Sequence, residues 1–419
     1  MIITTCIRAP ILTGRRADAD RTPTGRPAGG PILLPPSLPS GPFVLSTSAT
    51  SAPASLNWTD PARQALFTAW ISSLSTRHAL DLSQLRLASA DASFRRYLRL
   101  PAGAGTAIVM DAPPPLEDVR PFVRVAALIQ AAGLNVPRVL AADVTNGFLL
   151  LTDLGDQLYL HALTEGTPAQ ADQLMRQASA ALVRFQSQVP GEQLPPFGPA
   201  LLQAELDLFP TWCVQREFGL SWSAAQHSSW QALCDLLIQS AVAQPQLAVH
   251  ADWMPRNLMV CEAAADTAHA ARGGLGPQAT CGPTLASPGI LDFQDAVCGP
   301  ITYDMASLLR DAFISWPEEQ ELDWAVRAWQ AARAAALPVD ADFGEHWRQL
   351  EWMGLQRHLK VMGIFCRLKH RDGKDRYATD LPRFMAYATK VAKRYRPLQP
   401  LLRLLEPLSG ARVQDGYTF

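Results

Sequence analysis

Residues 250–260 read HADWMPRNLMV, and residues 290–295 read ILDFQD. The first stretch follows an apolar, strand-like segment and has the spacing His-x-Asp-x4-Asn, and the second places Asp-Phe at the end of another apolar segment. A lone His-x-Asp or Asp-Phe pair is common by chance. The two patterns together, each at the end of a predicted strand, are much rarer, so they indicate a functional site.

The residue types in these stretches match what phosphoryl transfer from ATP requires, and the spacing is typical of kinase-like folds. A carboxylate has to accept or orient the proton of the acceptor hydroxyl, and Asp252 fits that role. The Mg²⁺ that accompanies a triphosphate prefers oxygen ligands, which Asn257 offers as an amide and Asp292 as a carboxylate. His250 is interpreted as a structural residue that holds the loop, and Asp304 is also interpreted as structural.

Length and composition narrow the class of protein. The chain has 419 residues, 48% of them hydrophobic, which is enough for two or three structural units with a core. Lys and Arg (37) nearly balance Asp and Glu (38), which argues against a nucleic-acid binder with a basic surface. No segment approaches about 18 uncharged apolar residues, so we expect no membrane span.

Cysteine usage indicates the cellular compartment. The seven cysteines are dispersed along the chain and form no Cys-x-x-Cys pair. Such a set is typical of reduced thiols, so we expect a cytoplasmic protein with neither a disulfide framework nor a zinc site. Cys298 lies near the second motif and is interpreted as a packing residue.

Two segments are expected to lack regular structure. Residues 1–56 are rich in Pro, Arg, Ser, Thr and Gly and contain no Lys, so we expect them to be disordered. This segment faintly resembles a transit peptide, and a non-native extension from an upstream start codon explains it equally well. Residues 262–288 show no periodicity and are interpreted as a long inserted surface loop.

The remaining chain divides into two predicted parts, which together give an α+β fold class. Residues 57–155 begin with a helix capped by Asp60 and then show short apolar runs with one helical pattern, which predicts a small, mostly antiparallel sheet. Residues 156–419 are predicted to be mainly helical. The predicted strands are 85–87, 94–100, 106–110, 136–141, 148–151, 247–250 and 289–293, and the main predicted helices of the second part are 169–186, 201–218 and 224–242.

Residues 57–405 resemble the aminoglycoside phosphotransferase/choline kinase branch of the protein-kinase-like superfamily. Within that branch, several stretches are similar to the bacterial N-acetylmuramate/N-acetylglucosamine anomeric kinases of cell-wall recycling. These stretches are residues 91–97, 110–114, 250–259, 291–304 and 358–374, of which DFQDA at 292–296 and LKHRDGK at 368–374 are the most distinctive. The resemblance implies a two-lobed kinase-like fold, with a nucleotide-binding N-lobe at 57–155 and a catalytic and acceptor-binding C-lobe at 156–419.

The resemblance also implies a reaction and the residues that perform it. ATP with Mg²⁺ would phosphorylate the C1 hydroxyl of an amino sugar, and a nucleotidyltransferase would then make a UDP-sugar from the product. Asp252 matches the catalytic base, and Asn257 and Asp292 match the metal ligands. The other cofactor-binding positions are Ser89, Asp91, Ser93 and Phe94 in the turn that covers the phosphates, the neighbouring Arg95 and Arg96, and Asp153 and Leu154 at the hinge beside adenine.

One departure from the family pattern concerns the phosphate-pairing lysine. The strand that normally reads Val-Ala-Ile-Lys aligns with residues 107–110, AIVM, which have methionine at the last position. A neighbouring cation has to replace the lysine, and the candidates are Arg95 and Arg96. The acid that usually pairs with that lysine corresponds to Glu117 or Asp118, and it lacks its usual partner here.

The acceptor site is less constrained by the sequence. Seven Lys and Arg residues between 357 and 376 face only two acids, which indicates either a solvated helix face or a site for an anion such as the lactyl carboxylate of N-acetylmuramate. Lys369 and Arg371 are the candidate substrate contacts of this region. Glu205 is a further candidate sugar contact, and Asp311 is either a surface charge or an acceptor contact.

Two alternative functions stay open at this point. One is another small-molecule kinase, for an aminoglycoside, choline or homoserine-like acceptor, against which the basic region argues weakly. The other is a kinase-shaped binding or regulatory protein, which the missing lysine suggests. A protein kinase is disfavoured because no Ala-Pro-Glu segment follows Asp-Phe. The sequence predicts a small-molecule amino sugar as partner, and it leaves the sugar preference and the oligomeric state open.

Overall fold

The computed structural model describes residues 58–90, 94–261 and 288–408. The predicted N-terminal extension, residues 1–56, lies outside the described residues, and so does nearly all of the predicted inserted loop at 262–288. None of the described helices is long and apolar enough to cross a membrane.

An antiparallel sheet of five strands and two helices form the smaller lobe. The strands are β1 (Arg86–Ala90), β2 (Arg96–Ala102), β3 (Gly105–Asp111), β4 (Val139–Asp143) and β5 (Phe148–Thr152), and the helices are α1 (Pro61–His78) and α2 (Arg120–Ala131). The strand order is β1-β2-β3-β5-β4, so β3 lies at the centre. Helix α1 begins where the sequence predicts it, because the Asp60 carboxylate accepts hydrogen bonds from the N–H groups of Ala62 and Arg63.

The two faces of this sheet pack against different partners, because successive side chains on a strand point to opposite sides. On one face, Leu98 and Val109 pack with Phe67 of α1 in a small apolar core. On the other face, Met110 and Leu149 belong to a large core that continues into the second lobe. Side chains on this second face therefore border the second lobe.

The larger lobe is mainly helical and carries two short two-stranded sheets. Its helices are α3 (Tyr159–Glu165), α4 (Pro168–Gln188), α5 (Pro199–Leu206), α6 (Ala224–Val242), α7 (Tyr303–Leu309), α8 (Glu318–Ala334), α9 (Phe343–Asp372), α10 (Leu381–Arg394) and α11 (Pro400–Leu405). Its strands are β6 (Gln246–Val249), β7 (Leu258–Met259), β8 (Gly289–Ile290) and β9 (Val297–Pro300), of which β6 pairs with β9 and β7 with β8. Helix α9 is buried along most of its length, and α6, α7 and α10 pack against it.

The predicted α+β class, with a small antiparallel-sheet lobe and a mainly helical lobe, is confirmed. The predicted lobe boundaries at 57–155 and 156–419 stay predictions. The predicted strand at 289–293 is shorter than expected, since pairing ends at Ile290. Asp292 adopts a left-handed conformation with a φ of 61°, which a strand cannot accommodate.

The predicted helix at 201–218 is not a single helix. Helix α5 ends at Leu206, and a π-helical segment, Phe209–Glu217, follows it. Pro210 lies in the first turn of this segment and has no N–H group with which to continue the hydrogen bonds of α5. The region is helical as predicted, but the prediction did not include this interruption.

Candidate active site

The His-x-Asp-x4-Asn motif forms the loop that follows β6. His250 is fully buried, and its Nε2 lies 2.9 Å from the carbonyl oxygen of Leu291, which requires a proton on Nε2. Its Nδ1 accepts a hydrogen bond of 3.2 Å from the backbone N–H of Asp252. Burial lowers the pKa of His250, so the ring stays neutral and keeps both bonds. His250 therefore ties the loop of Asp252 to the segment that carries Asp292.

Asp304, in the first turn of α7, holds the same loop through its backbone. Its Oδ2 accepts a 2.7 Å hydrogen bond from the N–H of His250, and its Oδ1 accepts a 3.1 Å bond from the N–H of Ala251. Ala251 has a φ of 76°, a strained conformation that persists only where surrounding contacts hold it. Burial raises the pKa of Asp304 to about 7, although the two N–H donors act in the opposite direction. Asp304 thus fixes the backbone immediately before Asp252.

Asp252, Asn257 and Asp292 meet beside the pair of strands β7 and β8. The side-chain nitrogen of Asn257 donates a 3.0 Å hydrogen bond to the backbone oxygen of Asp252 and lies 3.5 Å from Asp292 Oδ2. The backbone N–H of Leu291 donates a 2.9 Å bond to the carbonyl oxygen of Asn257. The three residues that the sequence analysis selected for catalysis and metal binding therefore lie together.

The donor set at this point fits Mg²⁺. Asp292 offers a carboxylate and Asn257 an amide oxygen, and hard divalent cations prefer oxygen ligands. Among the residues that the structure describes, no group of three or more His, Cys, Asp or Glu could hold a metal ion. An Asn–Asp pair leaves coordination positions for phosphate oxygens and water, which is the usual way in which Mg²⁺ is bound. Gln294 Nε2 donates a 2.6 Å hydrogen bond to Asp292 Oδ1 and so orients the carboxylate.

The two candidates for the missing lysine have different partners. Arg95 is 6% exposed, and its Nε donates a 2.8 Å hydrogen bond to Glu117 Oε2. Of the two acids that the sequence suggested as partner, the structure therefore selects Glu117, since Asp118 bonds Arg120. Arg96 instead bonds Asp111 within the smaller lobe.

The hinge residues Asp153 and Leu154 have separate roles. The Asp153 carboxylate accepts hydrogen bonds from Arg99 (2.9 Å), Thr106 (2.7 Å) and the N–H of Gly155 (3.0 Å), so it braces the hinge. Leu154 packs with Met259 and Cys261 in a small apolar cluster separate from the main cores. An apolar surface beside the hinge suits one face of a planar base.

Asp311 lies just after α7 and is 1% exposed, so it is not a surface charge. Its Oδ1 accepts hydrogen bonds from the N–H groups of Phe313 (2.8 Å) and Ile314 (3.2 Å). Within the described part of the chain, its Oδ2 has no hydrogen-bond partner. Burial raises the pKa of Asp311 to about 6, while its N–H donors and Arg357 act in the opposite direction. A buried carboxylate oxygen of this kind needs a hydrogen-bond donor, which a water molecule or a ligand hydroxyl can supply.

Arg357 of α9 connects this region with the catalytic loop. Its Nη1 donates a 3.2 Å hydrogen bond to the carbonyl oxygen of Ala251, and its guanidinium lies 4.8 Å from the centroid of the Tyr303 ring. The side chain is 4% exposed, and it interacts electrostatically with both Asp252 and Asp311. The positive charge of Arg357 therefore stabilises the charged forms of both Asp252 and Asp311.

Glu205 is buried with both carboxylate oxygens engaged. Its Oε1 lies 2.7 Å from the Lys360 ammonium, and its Oε2 accepts a 2.8 Å hydrogen bond from Gln356. Lys360 also donates a 3.0 Å hydrogen bond to the hydroxyl of Tyr303. Burial opposes the charge of Lys360, but Glu205 raises the pKa of Lys360, so the ammonium stays charged. These contacts connect α5, α7 and α9.

Lys369 and Arg371 lie near the C-terminal end of α9. Lys369 forms a 2.7 Å ion pair with Glu217 of the π-helical segment, and Arg371 pairs with its neighbour Asp372 at 2.7 Å. A helix rises by 1.5 Å per residue, which separates Lys369 from Arg357 by about 18 Å along the axis. The basic region 357–376 therefore does not form one patch: its first members are buried near the catalytic loop, and its later members lie farther along the helix.

The turn that was predicted to cover the phosphates is only partly described. Asp91 and Ser93 lie outside the described residues, and Ser89 belongs to β1. Phe94 is 63% exposed at the end of this turn.

Two arginines of the site were not assigned a role from the sequence. Arg99 braces the hinge, and Arg357 bonds the catalytic loop. Alternation along β2 places Arg99 on the same face of the sheet as Tyr97, the face opposite that of Leu98, so the sequence pattern alone could have indicated on which side of the sheet Arg99 lies. Arg357 and Lys360 are charged residues in a helical stretch that also contains several apolar residues, and charged residues are seldom buried without a specific partner.

Comparison with known protein families identifies relatives of the chain. The profile of the phosphotransferase enzyme family matches residues 84–267. The N-acetylmuramate/N-acetylglucosamine kinase of Pseudomonas putida is 46% identical over 330 residues, which cover 78% of this chain and 90% of that protein. The protein of the same name from Neisseria meningitidis is 41% identical over 360 residues, which cover 85% of this chain and 99% of that protein.

The solved structures that align with the chain are more distant in sequence. The ADP-bound aminoglycoside phosphotransferase APH(2'')-Ib aligns with a TM-score of 0.49 and 11% identity, covering 77% of this chain and 97% of that chain. The choline kinase LicA from Streptococcus pneumoniae aligns with a TM-score of 0.48 and 10% identity, covering 78% of this chain and 99% of that chain.

Proposed function

Since the chain belongs to the N-acetylmuramate/N-acetylglucosamine kinases within the phosphotransferase enzyme family, we propose that it transfers a phosphoryl group from ATP to one or both of these amino sugars. The acceptor is the anomeric C1 hydroxyl, as the sequence resemblance implies. In this proposal the reaction takes place in the cytoplasm as a step of cell-wall recycling, and a nucleotidyltransferase consumes the sugar 1-phosphate.

The meeting of Asp252, Asn257 and Asp292 beside β7 and β8 is the observation that carries this proposal. A carboxylate for the acceptor proton and two oxygen ligands for a metal are brought together from segments 35 residues apart. The side chains of His250 and Asp304 make hydrogen bonds that hold these segments in place.

In the proposed reaction, Asp252 is the base. As the sugar oxygen forms a bond to the γ-phosphorus of ATP, its proton passes to the Asp252 carboxylate, and the bond to the β,γ-bridging oxygen breaks to release ADP. Asp252 is 4% exposed, so bulk water has little access to the attacking position. Because its backbone is held on both sides, catalysis rests mainly on positioning.

Asn257 and Asp292 would hold Mg²⁺, which neutralises charge on the phosphates when it is bound. Gln294 keeps the Asp292 carboxylate oriented. The purine would lie on the apolar cluster of Leu154, Met259 and Cys261 beside the hinge. The Asp153 side chain makes hydrogen bonds within the smaller lobe and the hinge, and its contact with the nucleotide stays a prediction.

Asp311 is the proposed contact for the sugar. Arg357 interacts electrostatically with both Asp311 and Asp252. The buried Oδ2 of Asp311 can accept a hydrogen bond from a sugar hydroxyl. Glu205 forms an ion pair with Lys360 of α9, the helix that also carries Arg357. Direct substrate contacts of Glu205, Lys369 and Arg371 stay predictions.

The proposal is tested by measuring ADP release from ATP and Mg²⁺ with a panel of acceptors. The panel contains N-acetylmuramate, N-acetylglucosamine, choline and kanamycin, and each is assayed with the wild type and with Asp252→Asn. We expect turnover with at least one of the two amino sugars, and its loss in the variant. Turnover with choline or kanamycin alone, or amino-sugar turnover that Asp252→Asn leaves unchanged, would refute the proposal.

A further inference from the structure

Strand β3 provides no cation on the side of the sheet that borders the second lobe. Met110 is the last of residues 107–110, where a phosphate-pairing lysine is expected, and its side chain is fully buried in the core shared by both lobes. Phosphoryl transfer concentrates negative charge on the phosphate oxygens, and cations besides the metal usually stabilise that charge. The smaller lobe therefore has to supply a cation from another position.

Arg96 is committed to the opposite face of the sheet. Its Nε donates a 2.9 Å hydrogen bond to Asp111, and Arg63 of α1 donates a 2.8 Å bond to the other oxygen of the same carboxylate. The Arg96 guanidinium also lies 4.0 Å from the ring centroid of Trp58. Leu98, two residues along β2, lies in the apolar core on the α1 side. Arg96 therefore belongs to the contact between α1 and the sheet.

Arg95 directly precedes Arg96, so strand alternation places its side chain on the opposite side from that of Arg96, the side that borders the second lobe. The side chains of Arg95 and its partner Glu117 are each 6% exposed. Burial opposes the charge of Arg95, but Tyr97 and Glu117 raise its pKa, and the carboxylates of Asp292 and Asp295 raise it further. The guanidinium is therefore charged, and it lies within electrostatic range of a proposed metal ligand.

From this placement we infer that Arg95, oriented by Glu117, binds the phosphate groups of the nucleotide in place of a lysine on β3. The inference rests on the proposed function, because it assumes that a nucleoside di- or triphosphate occupies the site. A guanidinium has five N–H donors on three nitrogen atoms, so it can bond Glu117 through Nε and a phosphate through its other nitrogens. The cation that binds the phosphates then comes from the residue before β2 instead of from the end of β3.

The test compares the binding of Mg²⁺-ADP and of adenosine by calorimetry, since only ADP carries phosphates. Arg95→Gln is expected to weaken ADP binding about ten- to hundredfold and to leave adenosine binding unchanged, as the loss of a charge-assisted hydrogen bond implies. Arg95→Lys keeps the charge and should retain most of the ADP affinity. The matched control is Arg63→Gln, which removes an arginine with the same 2.8 Å Nε–carboxylate bond from the other face.

The possible outcomes separate the inference from the proposed function. If the wild type binds ADP and Arg95→Gln binds it equally well, the inference is wrong and the function stands. Equal losses of ADP and adenosine affinity in Arg95→Gln would show a structural role and would also overturn it. A loss in Arg96→Gln instead would assign the phosphates to Arg96. A wild type that binds neither ligand would refute the proposed function and the inference together.

Discussion

The Asp304 carboxylate accepts a 2.7 Å hydrogen bond from the backbone N–H of His250, across 54 positions of sequence. The same carboxylate accepts a second bond from Ala251, whose backbone is in the left-handed region. Asp252 follows directly, so helix α7 determines where the proposed base lies. The active-site loop is thus positioned by main-chain contacts as well as by its own side chains.

Replacing Asp304 by Ala should impair both stability and catalysis. Two buried N–H groups would lose their acceptor, which we expect to lower the free energy of unfolding by about 2–5 kcal/mol. The strained Ala251 would relax and displace Asp252, so kcat should fall by about tenfold or more. Urea unfolding and steady-state kinetics measure the two effects. Wild-type kcat in a folded Asp304→Ala protein would show that α7 does not position the base.

Asp252→Asn should remove catalysis and leave nucleotide binding intact. An amide cannot accept the proton of the acceptor hydroxyl, so kcat should fall by about 10²- to 10⁴-fold. The affinity for Mg²⁺-ADP, measured by calorimetry, should change little because the proposed metal ligands are Asn257 and Asp292. If ADP affinity falls as steeply as kcat, Asp252 binds the metal rather than the acceptor.

Asp311→Asn should affect the sugar and spare the nucleotide. The variant keeps an oxygen for the N–H groups of Phe313 and Ile314 but loses the charge of the second oxygen. Loss of one charge-assisted hydrogen bond to a sugar hydroxyl should raise the KM for the sugar by about tenfold or more. The KM for ATP serves as the internal control and should stay within about twofold. An unchanged sugar KM would remove Asp311 from the acceptor site.

The Lys360–Glu205 pair should be costly to break from one side. Lys360→Met leaves a buried carboxylate without its ion-pair partner, which we expect to destabilise the protein by about 3–5 kcal/mol. The double variant Lys360→Met/Glu205→Leu should recover much of that loss. The exposed pair Arg327–Asp323 is the matched control and should contribute less than about 1 kcal/mol. Double-mutant cycles from urea unfolding measure the coupling energy of each pair. Additive losses of unfolding free energy at Lys360 and Glu205 would contradict the prediction.

His358 should make the protein less stable as the pH falls. Burial and the neighbouring Arg310 lower the pKa of His358 to about 3, compared with 6.5 for an ordinary histidine. The unfolded chain therefore binds the extra proton first, and stability present above pH 6.5 is lost toward pH 3. This effect amounts to about 2 kcal/mol between pH 6.5 and 5.

The variant His358→Gln isolates that effect. Glutamine does not titrate and keeps an N–H donor for the carbonyl oxygen of Arg310. As the pH falls from 6.5 to 5, the unfolding free energy of the wild type should decrease relative to that of the variant. A constant difference across this range would show that His358 is not kept neutral by the fold.

The sequence was sufficient to predict the core of the candidate site because its motif residues are close in the chain. His250, Asp252 and Asn257 lie within one short loop, and pairing of the short strands β7 and β8 then brings Asp292 beside them. Spacing and strand ends determine this arrangement almost completely. The five-stranded sheet was predicted for the same reason, since apolar runs and turns are local signals.

Contacts between distant helices were not predictable in this way. The sequence left Arg357 either on a solvated helix face or in an anion site, and only the packing of α9 against the catalytic loop shows that it is buried. Glu205 looked like a sugar contact, and its engagement by Lys360 and Gln356 depends on how α5 meets α9. The choice of Arg95 over Arg96 as the cleft-facing cation likewise required the partner acid Glu117 to be located.

The most direct test of the account is phosphorus NMR of the product that the wild type makes from N-acetylmuramate, ATP and Mg²⁺. We expect a sugar phosphate whose ³¹P signal couples to the anomeric proton, together with ADP, and no such product with Asp252→Asn. A phosphate on any other oxygen of the sugar would contradict the proposed anomeric transfer. The same product from Asp252→Asn at the wild-type rate would contradict the catalytic role of Asp252.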